Sequence, residues 1–173
     1  MRNSIAAAVR MGAACVNDVN LVHATECDAM ALGRSRAIAV LSPRISFQRE
    51  NGHCGSARTL IDRGAAVALG SGQGANAPNI QMTIALACGA MNMTPAEAIS
   101  AATINGAHAL RREETLGSLE AGKSADLVIL AVPDYRELPC HFGVNLAQLV
   151  MIRGMVLVER AEVKWPSDTP ALE

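Results

Sequence analysis
Apolar positions along this chain come in two textures, short runs rich in Val and Ile and longer stretches at helical spacing, and the two alternate. Residues Ile5 to Met11 read as the end of a helix that Gly12 stops, and Ala14 to Val22 as a strand. Asp28 to Arg36 reads as a helix and Ala37 to Leu41 as a buried strand ended by Ser42-Pro43. After a loop holding Asn51, Gly52 and Gly55, the pattern predicts a helix over Ala57 to Arg63 closed by Gly64, then a buried strand over Ala65 to Leu69. Gly70, Gly72 and Gly74 follow in a loose loop, and Ile80 to Met91 is an apolar helix. Thr94-Pro95-Ala96-Glu97 is a helix start: Thr94 can cap, Pro95 suits the first helical position and Glu97 completes a capping box. Helices over Ala96 to Thr103 and near Ala107 close this region. Buried strands without alternation, separated by helices, predict an α/β fold with a parallel sheet, either part of a (β/α)8 barrel or a doubly wound sheet.

From Gly117 the texture changes. The turn-rich run Gly117-Ser-Leu-Glu-Ala-Gly-Lys-Ser-Ala-Asp126 leads into a strand over Leu127 to Val132, and Leu149 to Arg153 and Met155 to Glu159 pair around Arg153-Gly154. The expected organisation is an α/β unit over 1–115, an all-β segment over 116–165, and a tail over 166–173 that carries two prolines, little apolar surface and no reason to be ordered.

Composition narrows the classes. Half of the 173 residues are hydrophobic, enough for a sizeable core, yet Phe47, Phe142, Tyr135 and Trp165 are the only rings, so Ala, Val, Leu, Ile and Met must fill it. A net charge of −1 supplies no general attraction for nucleic acid or anionic lipid. There is no run of 18 apolar residues and no signal-peptide pattern, so neither membrane nor nucleic acid is an expected partner. Cys15, Cys27, Cys54, Cys88 and Cys140 are odd in number and lack a Cys-x-x-Cys pair, which reads as thiols in a reducing cytoplasm.

The run Gly117 to Leu130 resembles the segment by which amidohydrolase chains leave their barrel for a small β-sandwich. Val132-Pro-Asp-Tyr-Arg-Glu-Leu-Pro-Cys-His-Phe-Gly-Val-Asn145 is similar to a phrase of the imidazolonepropionase branch, and Met93 to Ala98 and Ala102 to Leu110 are similar to its helices after the last barrel strand. The likeness extends back through Leu41-Ser-Pro-Arg-Ile-Ser-Phe47 and Arg63 to Leu69, so it covers nearly the whole chain. It implies the carboxy-terminal part of a (β/α)8 barrel over 1–115, followed by strands of a small β-sandwich over 116–165. The activity it implies is hydrolysis of the cyclic amide of imidazolone propionate in histidine degradation, with zinc or iron lowering the pKa of a bound water. The family's ligands are a His-x-His pair on the first strand, a His on the fifth and an Asp at the end of the eighth, assisted by a sixth-strand His and a Glu near the fifth-strand His.

Against that pattern the chain departs at three places. No His-x-His occurs; Gly72 stands where the ligand aspartate belongs, with Gly74 replacing a following Asn; and Asn20-Leu21 falls where a His-containing phrase is expected. Glycine has no side chain to offer a cation, and asparagine cannot act as a base near neutral pH. Val22-His23-Ala-Thr-Glu26 resembles the fifth-strand His-Ala-Asp-Glu, which makes His23 and Glu26 the candidate catalytic pair; the alternative is a loop histidine just past a strand end, since too few residues separate His23 from Pro43 for the intervening elements. His108 and His141 match no family ligand, and His53-Cys54 gives two adjacent donors without a third. The Gly70, Gly72, Gly74 run lacks the spacing of a phosphate loop. The expectation is therefore an imidazolonepropionase-like chain without its own metal or cofactor and inactive alone. Self-association, or pairing with a chain that supplies the amino-terminal barrel half, would cover its exposed edges. Two alternatives stay open: one half of a two-chain hydrolase, or a non-catalytic binding or scaffold protein.

Overall fold
A computed structural model describes residues 4–17, 19, 23–49, 51–72, 79–160 and 162–163. Three strands, β1 (Cys15–Val16), β2 (Ile38–Leu41) and β3 (Val67–Leu69), form a parallel sheet in that order. The register places Val16 opposite Ala39 and Leu41 opposite Leu69. All three residues of β3 and three of the four in β2 are buried, as a sheet covered on both faces requires. Helix α1 (Ser4–Arg10) precedes β1, α2 (Glu26–Gly33) joins β1 to β2, and α3 (Pro43–Arg49) and α4 (Arg58–Asp62) lie between β2 and β3; α5 (Ile80–Met91), α6 (Pro95–Ala102) and α7 (Ile104–Ala109) follow β3. Leu32, Leu41, Leu60 and Met91 are fully buried where these elements meet, each contributing about 1.5–3 kcal/mol by leaving water.

Of the expected strand over Ala14 to Val22, Cys15–Val16 is paired as β1, and residues 18 and 20–22 lie outside the described set. Val19 N–H still donates to Val40 O at 3.2 Å, so the chain keeps following β2 beyond the two paired residues. Helix α2 begins two residues earlier than its apolar spacing suggests, because Thr25 caps it: the Thr25 hydroxyl accepts from Asp28 N–H and the Asp28 carboxylate accepts from Thr25 N–H at 3.0 Å. Gly33 ends α2 against the turn that follows α4, where a Cβ would overlap the Arg63 carbonyl oxygen and lie 2.8 Å from its carbon. Ser42-Pro43 ends β2 and also starts α3, since proline at the first helical position lacks only an N–H that would be unpaired there.

The second sheet is antiparallel, with β4 (Leu127–Leu130), β5 (Ala147–Ile152), β6 (Met155–Glu159) and β7 (Glu162–Val163) in chain order. A two-residue turn at Arg153-Gly154 joins β5 to β6 with φ of 50° and 80°, the type I′ geometry that matches strand twist. A 3-10 helix over Tyr135–Cys140, not foreseen from the spacing, inserts Leu138 into the main core. Gln81 on α5 accepts from Leu146 N–H at 3.0 Å and donates to the Asn145 side chain at 3.3 Å, tying this segment to the helical layer. Residues of β4, β5 and β6 are mostly Val, Ile, Leu and Met, yet none is buried, and Val128, Ile129, Ile152 and Met155 are exposed. Among the described residues no helix is long and apolar enough to cross a membrane.

Candidate functional site
In open parallel α/β sheets the segments just beyond the carboxyl ends of the strands converge on one face, where side chains can meet a ligand. Here those segments carry His23 after β1, Ser42 after β2 and Gly70 to Gly72 after β3. Gly70 N–H donates to Leu41 O at 2.8 Å, which carries the β2–β3 pairing past the strand ends and holds the loop against Ser42, a buried residue. Arg44, at the second position of α3, reaches the same loop: its Nε and Nη2 each donate to Ser71 O at 3.4 Å.

Gly72 adopts a left-handed backbone, φ +77°. A Cβ built there would overlap Ile45 Cγ1 and lie 3.0 Å from Ile45 Cδ1. Loop conformation and the packing of α3 thus both suit glycine at this position. Gly74 and Asn20-Leu21, which also depart from the amidohydrolase pattern, lie outside the described residues.

His23 is exposed in a turn, and Thr25, two residues on, is occupied in capping α2. Glu26 forms an ion pair with Arg63, which follows α4; both side chains are about half exposed, so the pair contributes no more than a few tenths of a kcal/mol. Cys54 is buried, its thiol donating to Pro43 O at 3.7 Å and pushed up in pKa by desolvation, while the neighbouring His53 is exposed. His108 pairs with Glu113 at 3.5 Å, and His141 is exposed beyond the 3-10 helix. Among the described residues no group of three or more His, Cys, Asp or Glu is close enough to hold a metal ion.

Arg44 was not singled out by the sequence reading, although a cation at the second position of a Pro-initiated helix that follows a buried strand places charge at a strand's carboxyl end. Its reach to Ser71 crosses 27 residues of sequence and only the fold reveals it.

The family profile described as the amidohydrolase family matches residues 14–157. An imidazolonepropionase of Parabacteroides distasonis is 41% identical over 143 residues, which are 81% of this chain and 34% of the relative. One of Alkaliphilus metalliredigens is 37% identical over 159 residues, 90% of this chain and 37% of the relative. The chain thus spans about a third of the length of the curated relatives it matches. Among solved structures, an adenosine deaminase from Xanthomonas campestris with bound zinc superimposes with a TM-score of 0.74 at 21% identity, over 98% of this chain and 45% of that one. At that identity the likeness speaks for the fold.

Proposed function
The chain belongs to the amidohydrolase family, and on that premise we propose that it is an imidazolonepropionase-like portion of such an enzyme that does not hydrolyse substrate by itself. Its three parallel strands and their helices correspond, in this reading, to the carboxy-terminal part of a (β/α)8 barrel, and its antiparallel sheet to part of the small β-sandwich. The whole enzyme's reaction would be opening of the cyclic amide of imidazolone propionate.

The observation that carries the reading is Gly72. It occupies the loop after β3 where the family's metal-binding aspartate is expected, and both its φ of +77° and the proximity of Ile45 suit a residue without a side chain. The residues present do not fit a zinc or iron ion: glycine offers no donor, and the Arg44 guanidinium on the adjacent Ser71 carbonyl puts positive charge beside the place a dication would occupy. No hydrolytic step is therefore assigned to a metal held by this chain. His23 and Glu26 are the residues from which a rebuilt site would have to start. Atomic emission analysis of purified chain, equilibrated with zinc and then with ferrous iron and desalted, should give well under one metal per chain. Stoichiometric retention that is lost in His23→Ala would overturn the reading.

A second reading, one half of a two-chain hydrolase, draws support from the antiparallel sheet. Strands β4, β5 and β6 are apolar on both faces and none of their residues is buried, which is the composition of a sheet that something else covers. Co-expression with a polypeptide of the family's amino-terminal half should then yield a stable complex with hydrolytic activity. Self-association of the chain through the same faces would appear instead as a concentration-dependent mass in light scattering.

A further inference from the structure
Beneath the amino-terminal ends of the three parallel strands, at the opposite end of the sheet from Gly72, lies an open cleft of about 960 Å³. Its floor is made by small apolar residues where the strands begin, Ala14, Ala37 and Ala66 among them. Its polar groups are Ser35, Arg36, Asn105, His108, Arg111 and Glu113. Ser35 and Asn105 are spent on the scaffold: the Ser35 hydroxyl donates to Leu32 O at 2.9 Å and accepts from Ala37 N–H at 3.1 Å, while Asn105 Nδ2 donates to Val67 O at 2.8 Å. Glu113 pairs with His108 through Nδ1 at 3.5 Å. The guanidiniums of Arg36 and Arg111 are exposed and have no ion-pair partner among the described residues; the one carboxylate of the lining is Glu113, whose Oε2 is buried without a hydrogen-bond partner, so the cleft's two arginines outnumber its single acid.

Arg111 enters the cleft lining from the end of α7. Helix α7 ends with Arg111 N–H donating to His108 O at 3.0 Å and Arg112 N–H donating to Ala107 O at 2.9 Å, and Arg111 itself adopts φ +55°. Helices usually place glycine at this left-handed position, because a Cβ is sterically costly there. Arg153 in the β5–β6 turn and Arg160 after β6 take the same conformation, so the backbone at Arg111 marks the helix end, and it is the position of the guanidinium in the cleft lining that bears on binding.

We propose that this cleft is a binding site for a small organic oxyanion, a carboxylate or a phosphate ester, whose charged group meets Arg36 and Arg111 and whose apolar body rests on the alanine floor. Planar guanidiniums with several fixed donors suit both oxyanions, and the volume is that of a small-molecule site rather than of a single ion. The site is independent of hydrolysis, since it lies at the other end of the strands from the loops that carry His23 and Gly72.

The test is isothermal titration of the full chain with succinate and, separately, with inorganic phosphate, at ionic strength held constant with chloride. Saturable binding below about 10 mM is expected for at least one, and the tighter of the two identifies the class. Arg111→Gly removes the cation and supplies the residue that φ +55° favours, so the variant should remain folded by circular dichroism and bind at least about tenfold more weakly. Arg111→Asn, which also tolerates that backbone, and Arg36→Gln should do the same. Arg44→Gln, at the opposite end of the sheet, should bind as the parent does. No saturable binding of either anion, undiminished binding by folded Arg111→Gly and Arg111→Asn, or loss of binding in Arg44→Gln instead would each overturn the proposal.

Discussion

Gly72→Asp restores the side chain that the amidohydrolase pattern expects, and the structure predicts that the chain is damaged by it instead of gaining a metal. The new residue would have to hold φ near +77°, which costs an L side chain about 1–2 kcal/mol. Its Cβ would overlap Ile45 Cγ1, and relieving an overlap of this kind by shifting a packed side chain costs about 1–3 kcal/mol more. The sum, about 2–5 kcal/mol, is a large part of the stability of an ordinary domain and corresponds to a melting temperature lower by about 5–15 °C. Thermal and urea unfolding of Gly72→Asp and Gly72→Ala, each alone and with Ile45→Ala, separate the two contributions. In the Ile45→Ala background the overlap disappears, so a substitution at Gly72 should cost only the backbone part, about 1–2 kcal/mol. Adding zinc should leave the unfolding midpoint of Gly72→Asp unchanged, whereas a bound ligand at 100 times its Kd would stabilise by about 2.7 kcal/mol. Equal cost in both backgrounds, or zinc-dependent stabilisation of Gly72→Asp, would refute the argument.

Further outcomes follow from the packing. Gly33→Ala should destabilise by more than about 3 kcal/mol in urea unfolding, because the atoms a Cβ would meet belong to the backbone at Arg63 and cannot rotate away. Glu97 accepts from Thr94 N–H at 2.8 Å and from Arg58 Nη2 at 2.8 Å; both charged side chains are about a third exposed, so after allowance for solvent screening Glu97→Gln should cost about 1 kcal/mol at pH 7. Arg58 first, then the Thr94 hydrogen bonds, hold the Glu97 carboxyl below its ordinary value. The stabilisation is therefore present above the unfolded-state pKa of about 4.3 and is lost as pH falls through the lower folded-state value, so stability curves of the parent and Glu97→Gln should converge in acid.

The elements most legible in the sequence are those with strong local signals. Helix α5 has the bounds its apolar run gives, α6 begins where Thr94-Pro95-Glu97 says, and Gly64 follows α4 at φ +81° as a helix-closing glycine should. The Thr25-x-x-Asp28 capping box was equally local and would have corrected the start of α2. Helix α3 escaped notice because Pro43 is both a strand terminator and a good first helical residue, and only the residues after it decide which. The 3-10 helix holds Pro139 and has no apolar period; burial of the single side chain Leu138 anchors it. At the candidate site, the missing donor at Gly72 was visible by resemblance, but the Ile45 contact, the Arg44 hydrogen bonds and the Glu26–Arg63 ion pair join residues 27 or more apart, beyond any periodicity.

The most direct test of the central claim is a ring-opening assay of the chain alone, at high enzyme concentration with zinc or ferrous iron supplied, beside one of the full-length imidazolonepropionases as positive control. Product formation should be indistinguishable from that without protein, because no described group of residues can fix a metal-bound water over the ring carbonyl. Turnover of imidazolone propionate that saturates with substrate, requires metal and vanishes in both His23→Ala and Glu26→Gln would contradict the account and make this chain a hydrolase in its own right.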